Sequence, residues 1–247
     1  MALDCEKIKS LLCFDADVMT FDAVNSTNVL AEKLAAETDR PIVIAADSQT
    51  DGRGRNGKSF YSPETGLYLS LVTHPHSDFF ALETVTCGAA VAVCRAIEKL
   101  TELKPQIKWV NDIYIGGRKV CGILCRALGG NGKADHLITG VGINISTADF
   151  PDEIKNVAGS LNTAVDKNIL TAEIINQLMK ISEGDYMDEY REKSCVLGRE
   201  ITYYINGIAH SGKAVGIDGS GGLTVEKDGG KITLTGGEIT VRFPLTN

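Results

Sequence analysis

Gly52-Arg53-Gly54-Arg55-Asn56-Gly57-Lys58-Ser59, running on as Phe60-Tyr61-Ser62-Pro63-Glu64-Thr65-Gly66, is the stretch on which the fold turns. By letter it satisfies two phosphate-binding patterns. Gly52, Gly54 and Gly57 fit G-x-G-x-x-G, and Gly52 with Gly57-Lys58-Ser59 fits G-x-x-x-x-G-K-[ST]. Both patterns need a helix to start where the loop ends, because the helix N-terminus supplies the amide donors and partial positive charge that hold phosphate. Here Pro63 and Gly66 follow at once, and residues 66–73 (GLYLSLVT) alternate as a strand does. A strand in that place argues against both nucleotide folds. What is left is a polar, glycine-rich connection over residues 48–64 between two strands, the first being residues 41–47 (PIVIAAD). Connections of that length inside a compact domain are usually functional or mobile. This one is expected to be mobile without ligand and ordered with it.

Outward from the loop, residues 29–36 and 5–12 have helical character, and residues 79–100 carry apolar side chains at helical spacing with Cys87, Val91 and Cys94 on one face. Residues 107–115 and 119–128 read as strands joined at Gly116-Gly117, a hairpin signal. Residues 137–145 (LITGVGINI) read as a buried strand and residues 170–191 as a helix. After Ser194 the character changes to short β-rich runs at 201–205, 209–217, 223–226, 232–235 and 239–243, separated by glycine turns. Short, evenly spaced strands suggest a small barrel. The pattern predicts an α+β chain divided into residues 1–194 and 195–247.

Length and composition bound the function. The chain has 247 residues, 43% apolar and 23% charged, which fits one sizeable domain plus a small appendage and excludes disorder, collagen and coiled coil. No run approaches the roughly 18 apolar residues of a membrane span, and the N-terminus lacks a basic region followed by an apolar core. A net charge of −7 argues against nucleic acid held by bulk electrostatics. The seven cysteines (Cys5, Cys13, Cys87, Cys94, Cys121, Cys125, Cys195) form no C-x-x-C pair, and read as reduced, mostly buried thiols of a cytoplasmic protein. The four histidines have no cysteine or carboxylate at ligand spacing, and His74-Pro75-His76 reads as a solvated loop rather than a metal site.

The glycine–arginine loop has companions. Ser26-Thr27-Asn28 precedes a helical run, where Ser or Thr would ordinarily be read as an N-cap. Lys108-Trp109-Val110-Asn111-Asp112 lies between β-like runs, Lys119-Val120-Cys121-Gly122-Ile123-Leu124 follows the hairpin, and Gly140-Val141-Gly142-Ile143-Asn144 ends a buried strand. Singly, Lys119 reads as a solvated hairpin lysine and Trp109 as core. In this order and spacing, the segments resemble the biotin–protein ligase family, which carries Ser-Thr-Asn, Gly-Arg-Gly-Arg-x-Gly, Lys-Trp-Pro-Asn-Asp, Lys-x-x-Gly-Ile-Leu and Gly-x-Asn. The resemblance runs from about Asn25 to Asn144 and resumes at Gly198 and Gly236-Gly237-Glu238. Lipoate ligases share the fold but lack the arginine loop.

The resemblance implies a mixed-sheet catalytic domain of the biotin/lipoate ligase type with helices, followed by a small SH3-like β-barrel. It implies an ATP-dependent ligase that makes biotinyl-5′-AMP and passes biotin to a lysine of a biotin carboxyl carrier protein. It also implies site residues. Ser26, Thr27, Asn28 and Gln49 would line the pocket of the biotin ureido ring, which needs donors and acceptors at the bottom of an apolar cavity. Arg53, Gly54, Arg55 and Lys119 would meet the biotin carboxylate and the α-phosphate, with Lys119, Arg53 and Arg55 as the catalytic set. Two unit negative charges about 4 Å apart repel by roughly 4 kcal/mol at an effective dielectric of 20, and guanidinium and ammonium groups offset that. Phe60 would pack on adenine, Asn111 and Asp112 would face the triphosphate and Mg²⁺ (Asp112 as metal ligand), and Asn144 would lie near the nucleotide.

Some family members carry a DNA-binding domain and act as repressors. Residues 1–25 leave room for one short helix before Ser26, so DNA binding is not expected. The oligomeric state is not fixed by the sequence, and a homodimer stays open. The barrel would help receive ATP or the acceptor, with Arg242 contributing. The chain departs from the family pattern at Phe60 (commonly Trp), Val110 (Pro), Lys58 (Arg) and Cys125-Arg126 (an apolar–acidic pair), which leaves Arg126 without a role. From a different class, a catalytically silent biotin- or nucleotide-binding module would show the same motifs.

Overall fold

A computed structural model describes residues 2–75, 77–78, 82–129, 133–181, 185–205, 207–236 and 239–241. Asp4 caps α1 (Cys5–Leu11) by accepting the Lys7 amide, and the chain enters β1 (Asp17–Val24), α2 (Thr27–Leu34) and β2 (Ile42–Gln49). The loop follows, with only a 3-10 turn at Arg55–Gly57 before β3 (Gly66–Thr73). No helix begins there, as the run of residues 66–73 predicts. Then come β4 (Ser77–Asp78), α3 (Leu82–Leu100), β5 (Gln106–Lys108), β6 (Asp112–Ile115), β7 (Arg118–Leu128), β8 (Lys133–Ala134), β9 (His136–Asn144), α4 (Lys167–Ile181) and α5 (Met187–Glu192).

The main sheet has the order β1-β2-β3-β9-β7-β6-β5. It is mixed: β1 and β2 are parallel, as the helical crossover between them requires, and the remaining pairs are antiparallel. The apolar run of β2 follows from burial on both faces. Val43 and Ala45 join the large core that contains α3 and α4, while Ile42 and Ile44 join a smaller cluster with Ala31 of α2 and Ala35 at its C-cap. The face toward α2 is the one that carries the cleft.

Two expectations are corrected. Residues 107–115 are not one strand: the chain reverses through Trp109-Val110-Asn111, and β5 pairs antiparallel with β6. Each half keeps a buried isoleucine, Ile107 and Ile113, and no glycine or proline marks the turn. Residues 170–191 are two helices rather than one; Asp185 accepts the Met187 amide and starts α5 afresh. The start of the predicted helix at 79–81 lies outside the described residues.

The C-terminal part is a five-stranded antiparallel sheet of β10 (Glu200–Ile205), β11 (Ile208–Ile217), β12 (Leu223–Lys227), β13 (Gly230–Leu234) and β14 (Ile239–Val241), in the order β13-β12-β11-β10-β14. Asp228 (φ 52°) and Gly229 (φ 79°) make the tight turn between β12 and β13. Its interior is continuous with the main core, sharing Ile201, Tyr203, Leu223 and Val225 with it. Arg191 Nε donates to Ile217 O at 2.7 Å, and the buried Trp109 indole donates to Gly221 O at 2.8 Å. We propose that the chain divides at Ser194 on the change of sheet. The junction is no loose linker, since Ile107 donates to Lys193 O and accepts from the Cys195 amide. Arg242, Gly237 and Glu238 lie outside the described residues.

Candidate active site

The site begins with glycines. Gly140 and Gly142 of β9 and Gly122 of β7 face α2 and the loop from adjacent strands, with Gly142 paired to Gly122 and Gly140 to Leu124. Glycine inside a strand marks close approach, and here the approaching groups are definite. A Cβ on Gly142 would lie 2.7 Å from the Phe60 ring, one on Gly122 2.9 Å from it, and one on Gly140 2.1 Å from Asn28 Oδ1. The bare backbone floor lets Phe60 and Asn28 down onto the sheet. Phe60 thus packs on this floor and edge-on to Tyr68, at 6.3 Å between ring centroids.

At one end of the floor lies a buried polar network. Ser26, Thr27 and Asn28 are all at most 5% exposed. Ser26 stands at the N-cap position of α2, yet its side chain makes no capping bond. Gln49 Oε1 takes that place one residue on, accepting the Thr27 amide at 2.9 Å, while Gln49 Nε2 donates to Ser62 Oγ at 3.0 Å. Ser70 was not visible as a site residue in the sequence. Its hydroxyl, fully buried on β3, donates to Asn28 Oδ1 at 2.7 Å and lies 2.8 Å from Thr27 Oγ1. Its only signal is a single small polar residue in the otherwise large, apolar-rich run of residues 67–72.

At the other end stand the charges. Lys119 reaches the cleft through a β-bulge. Ile113 pairs with Cys121 but Tyr114 pairs with Lys119, so Val120 is the extra residue and Lys119 turns to the face of Gly122. Without that bulge its odd number would send it to the core with Cys121 and Cys125. Its backbone is held by bonds to Val157 O and from the Gly159 amide, and its Nζ sits 2.7 Å from Asp112 Oδ1. Arg55 Nη1 donates to Asn111 Oδ1 at 3.3 Å, and Asn111 Nδ2 donates to Ile123 O at 2.8 Å. Arg53 also lines the cleft, but its half-exposed guanidinium rests on Asp51 at 3.3 Å. Asn144 donates to Gly159 O at 2.9 Å, and its buried Oδ1 has no hydrogen-bond partner among the described residues. A buried acceptor left open costs free energy and marks where an incoming donor would be welcome.

These groups enclose one cleft of about 450 Å³, which also touches Trp109, Phe150 and Ile239 of β14. All the sequence-predicted site residues, Arg53, Gly54 and Arg55 of the loop included, therefore line this one cleft. A second cavity of about 620 Å³ lies between the loop and the start of α3, with Glu83, Thr86, Cys125 and Arg126 on its wall. Burial pushes the Cys125 thiol up to about 11, so it is no thiolate nucleophile at neutral pH. Arg126, left without a role by the sequence, pairs with Glu32 and ties β7 to α2. His74 meets His136 at 2.9 Å between Nδ1 atoms, and no group of three or more metal-ligating side chains occurs among the described residues.

Residues 20–144 match the model of the Biotin/lipoate A/B protein ligase family, and residues 196–242 match that of the Biotin protein ligase C terminal domain. The bifunctional ligase/repressor BirA of Bacillus subtilis is 33% identical over 85% of this chain and 69% of its own. The biotin–[acetyl-CoA-carboxylase] ligase of Paracoccus denitrificans is 26% identical over 87% of this chain and 96% of its own. Among solved structures, the biotin protein ligase from Aquifex aeolicus in complex with biotin and ATP superposes with a TM-score of 0.77 at 30% identity, covering 92% of this chain and 98% of that one. With half the chain matched by one model and the fold by a solved ligase, the chain belongs to the biotin/lipoate A/B protein ligase family, as one of its biotin–protein ligases.

Proposed function

We propose that the chain activates biotin with ATP as biotinyl-5′-adenylate and passes the biotin to a specific lysine of a biotin carboxyl carrier protein. One observation carries the reading: Lys119 and Arg55 converge over a glycine floor whose far end holds the Ser26–Thr27–Gln49–Ser70 network. In the first step a biotin carboxylate oxygen attacks the α-phosphorus and the bond to the β-phosphate oxygen breaks, releasing pyrophosphate. Arg53, Arg55 and Lys119 offset the repulsion between the two anions and hold them in line. In the second step a carrier lysine amine attacks the acyl carbon, loses a proton and expels AMP.

Ser26, Thr27, Asn28 and Gln49 would meet the ureido ring, with Ser70 setting the orientation of Thr27 and Asn28. Phe60 would offer its face to adenine and Asn144 Oδ1 its open acceptor to a nucleotide N–H. Mg²⁺ bound to triphosphate commonly takes one or two carboxylates and otherwise phosphate and water oxygens. Asp112 supplies one such carboxylate, and the bound metal would neutralise phosphate charge. We place the reaction in the cytoplasm, on the support of free thiols at all seven cysteines, and no helix is long and apolar enough to cross a membrane among the described residues. The net charge of −7 supports a reading without DNA binding.

The test is to incubate the purified chain with ATP, Mg²⁺ and a biotin carboxyl carrier domain. AMP and pyrophosphate should appear only when biotin is added, with mass spectrometry finding the biotin on one carrier lysine. Binding without AMP would leave a silent binding module, and ADP with inorganic phosphate in the absence of biotin would revive the phosphate-loop reading.

A further inference from the structure

The loop bearing Arg53 and Arg55 leaves the sheet between β2 and β3. The ladder of these strands ends at Ala46–Tyr68. Beyond a gap the two legs meet again through the Gln49 amide on Ser62 O, the Phe60 amide on Gly52 O and the Gly54 amide on Lys58 O. In that gap the return leg is the longer, and it turns on the Gly66 amide bonding to Pro63 O. Ser48 and Gln49 stay paired to β1 and Gly66 and Leu67 to β9, so residues 63–65 are the stretch of the gap outside the strands and the place for a hinge.

Lys167, the first residue of α4, fills the gap. Its Nζ donates to Asp47 Oδ1 at 2.5 Å on the entering leg and to Glu64 O at 2.9 Å on the returning leg. The Lys167 and Asp47 side chains are each only 16% exposed, so the pair is poorly screened. The return leg is further held by Tyr68 Oη donating to Pro63 O at 2.9 Å and by Thr65 against Thr147 at 2.8 Å. Among the side chains outside the loop in the described residues, the Lys167 ammonium is the one that bonds to both legs of the gap.

We propose that Lys167 is a positioning residue for adenylation: a cationic clasp on the hinge that fixes how Arg53 and Arg55 stand over the cleft. It touches none of the reacting groups, and its effect on catalysis rests on the reading given under Proposed function. The full chain is compared with Lys167→Met, Asp47→Asn and Lys167→Arg by amide exchange without ligand, and by biotin-dependent ATP–pyrophosphate exchange. Loss of one charge-assisted bond should speed exchange in residues 50–62 of Lys167→Met by at least about tenfold. β7 and β9 should keep wild-type protection. KM for ATP and release of free adenylate should rise by a similar factor, with kcat moving less. Asp47→Asn should shift the same readouts less, and Lys167→Arg should restore them.

Wild-type loop exchange in both Lys167→Met and Asp47→Asn overturns the proposal. So does exchange that rises evenly across the sheet, which is what a merely structural lysine would give. Should Lys167→Met not fold, Asp47→Asn decides alone. A wild-type chain that makes no pyrophosphate would sink the functional reading, while the ligand-free exchange still decides the clasp.

Discussion

Replacing Lys119 by alanine removes the ammonium that the bulge at Val120 delivers to the cleft. Its Nζ already holds a carboxylate oxygen, Asp112 Oδ1, at 2.7 Å, so an anionic oxygen of a substrate can approach equally closely. A unit charge about 4 Å from that ammonium, at an effective dielectric of 20, is stabilised by roughly 4 kcal/mol. Spent wholly on the transition state, that is a factor of about 10³ in rate. The fold should notice far less. Lys119 and Asp112 are 30% and 20% exposed, and a pair so placed contributes about 1 kcal/mol or less, a change in Tm of about 2–4 °C for a chain of this size. The assay is biotin-dependent exchange of [³²P]pyrophosphate into ATP, with thermal unfolding alongside. We expect kcat/KM to fall by about 10³ and Lys119→Arg to recover part of it. Exchange within tenfold of wild type in a folded Lys119→Ala chain would refute the assignment.

Arg53→Gly should free adenylate into solution, because this half-exposed guanidinium, paired with Asp51 alone among the described residues, is the one most able to swing over the cleft; mass spectrometry should find biotin on many lysines, and labelling confined to the carrier lysine would count against a retaining role for Arg53. Gly140→Ala would put a Cβ 2.1 Å from Asn28 Oδ1 and break its bond with Ser70. The unsatisfied polar groups should raise KM for biotin by about tenfold to a hundredfold, read from initial rates at varied biotin. The hydrogen bond from Lys7 holds the Asp166 carboxyl below its ordinary 3.8, so ionised Asp166 stabilises the fold at neutral pH and that contribution is lost as pH falls through the lowered value. Thermal unfolding from about pH 5 to pH 2 should therefore be less steep in pH for Asp166→Asn than for wild type.

Much of the fold could be read in advance where one signal sufficed. Residues 66–73 alternate, and β3 runs over Gly66–Thr73; the Gly116-Gly117 hairpin and the glycine turns of the C-terminal sheet follow from turn chemistry. The reversal at Trp109-Val110-Asn111 was hidden because strand periodicity carries no direction, and because its fixing bonds come from far away: Trp109 to Gly221 O, Tyr190 Oη to Val110 O and Asn111 to Ile123 O. The same holds for the site. The loop, Ser26-Thr27-Asn28 and Lys119 were legible as motifs, but which way Lys119 points depends on the register of β6 against β7. Ser70 and the closeness of Gly140 to Asn28 exist only once β3, β9 and α2 are stacked.

The stacking also distributes charge in a way no motif states. Arg53 faces Asp51 and Lys119 faces Asp112, so each of these cations is compensated by a carboxylate, whereas Arg55 rests on the neutral amide of Asn111. An anion entering the cleft therefore gains most from Arg55 at first, since it need not displace a rival carboxylate there. Engaging Lys119 requires Asp112 to be shared or left, and a carboxylate near phosphate is tolerable when a divalent cation stands between them. The carboxylate that occupies Lys119 in the ligand-free chain is thus the one available to such a cation. Under the proposed reaction, metal, nucleotide and lysine would therefore depend on one another, the arrangement expected of a site that should form its reactive anhydride only when all its reactants are present.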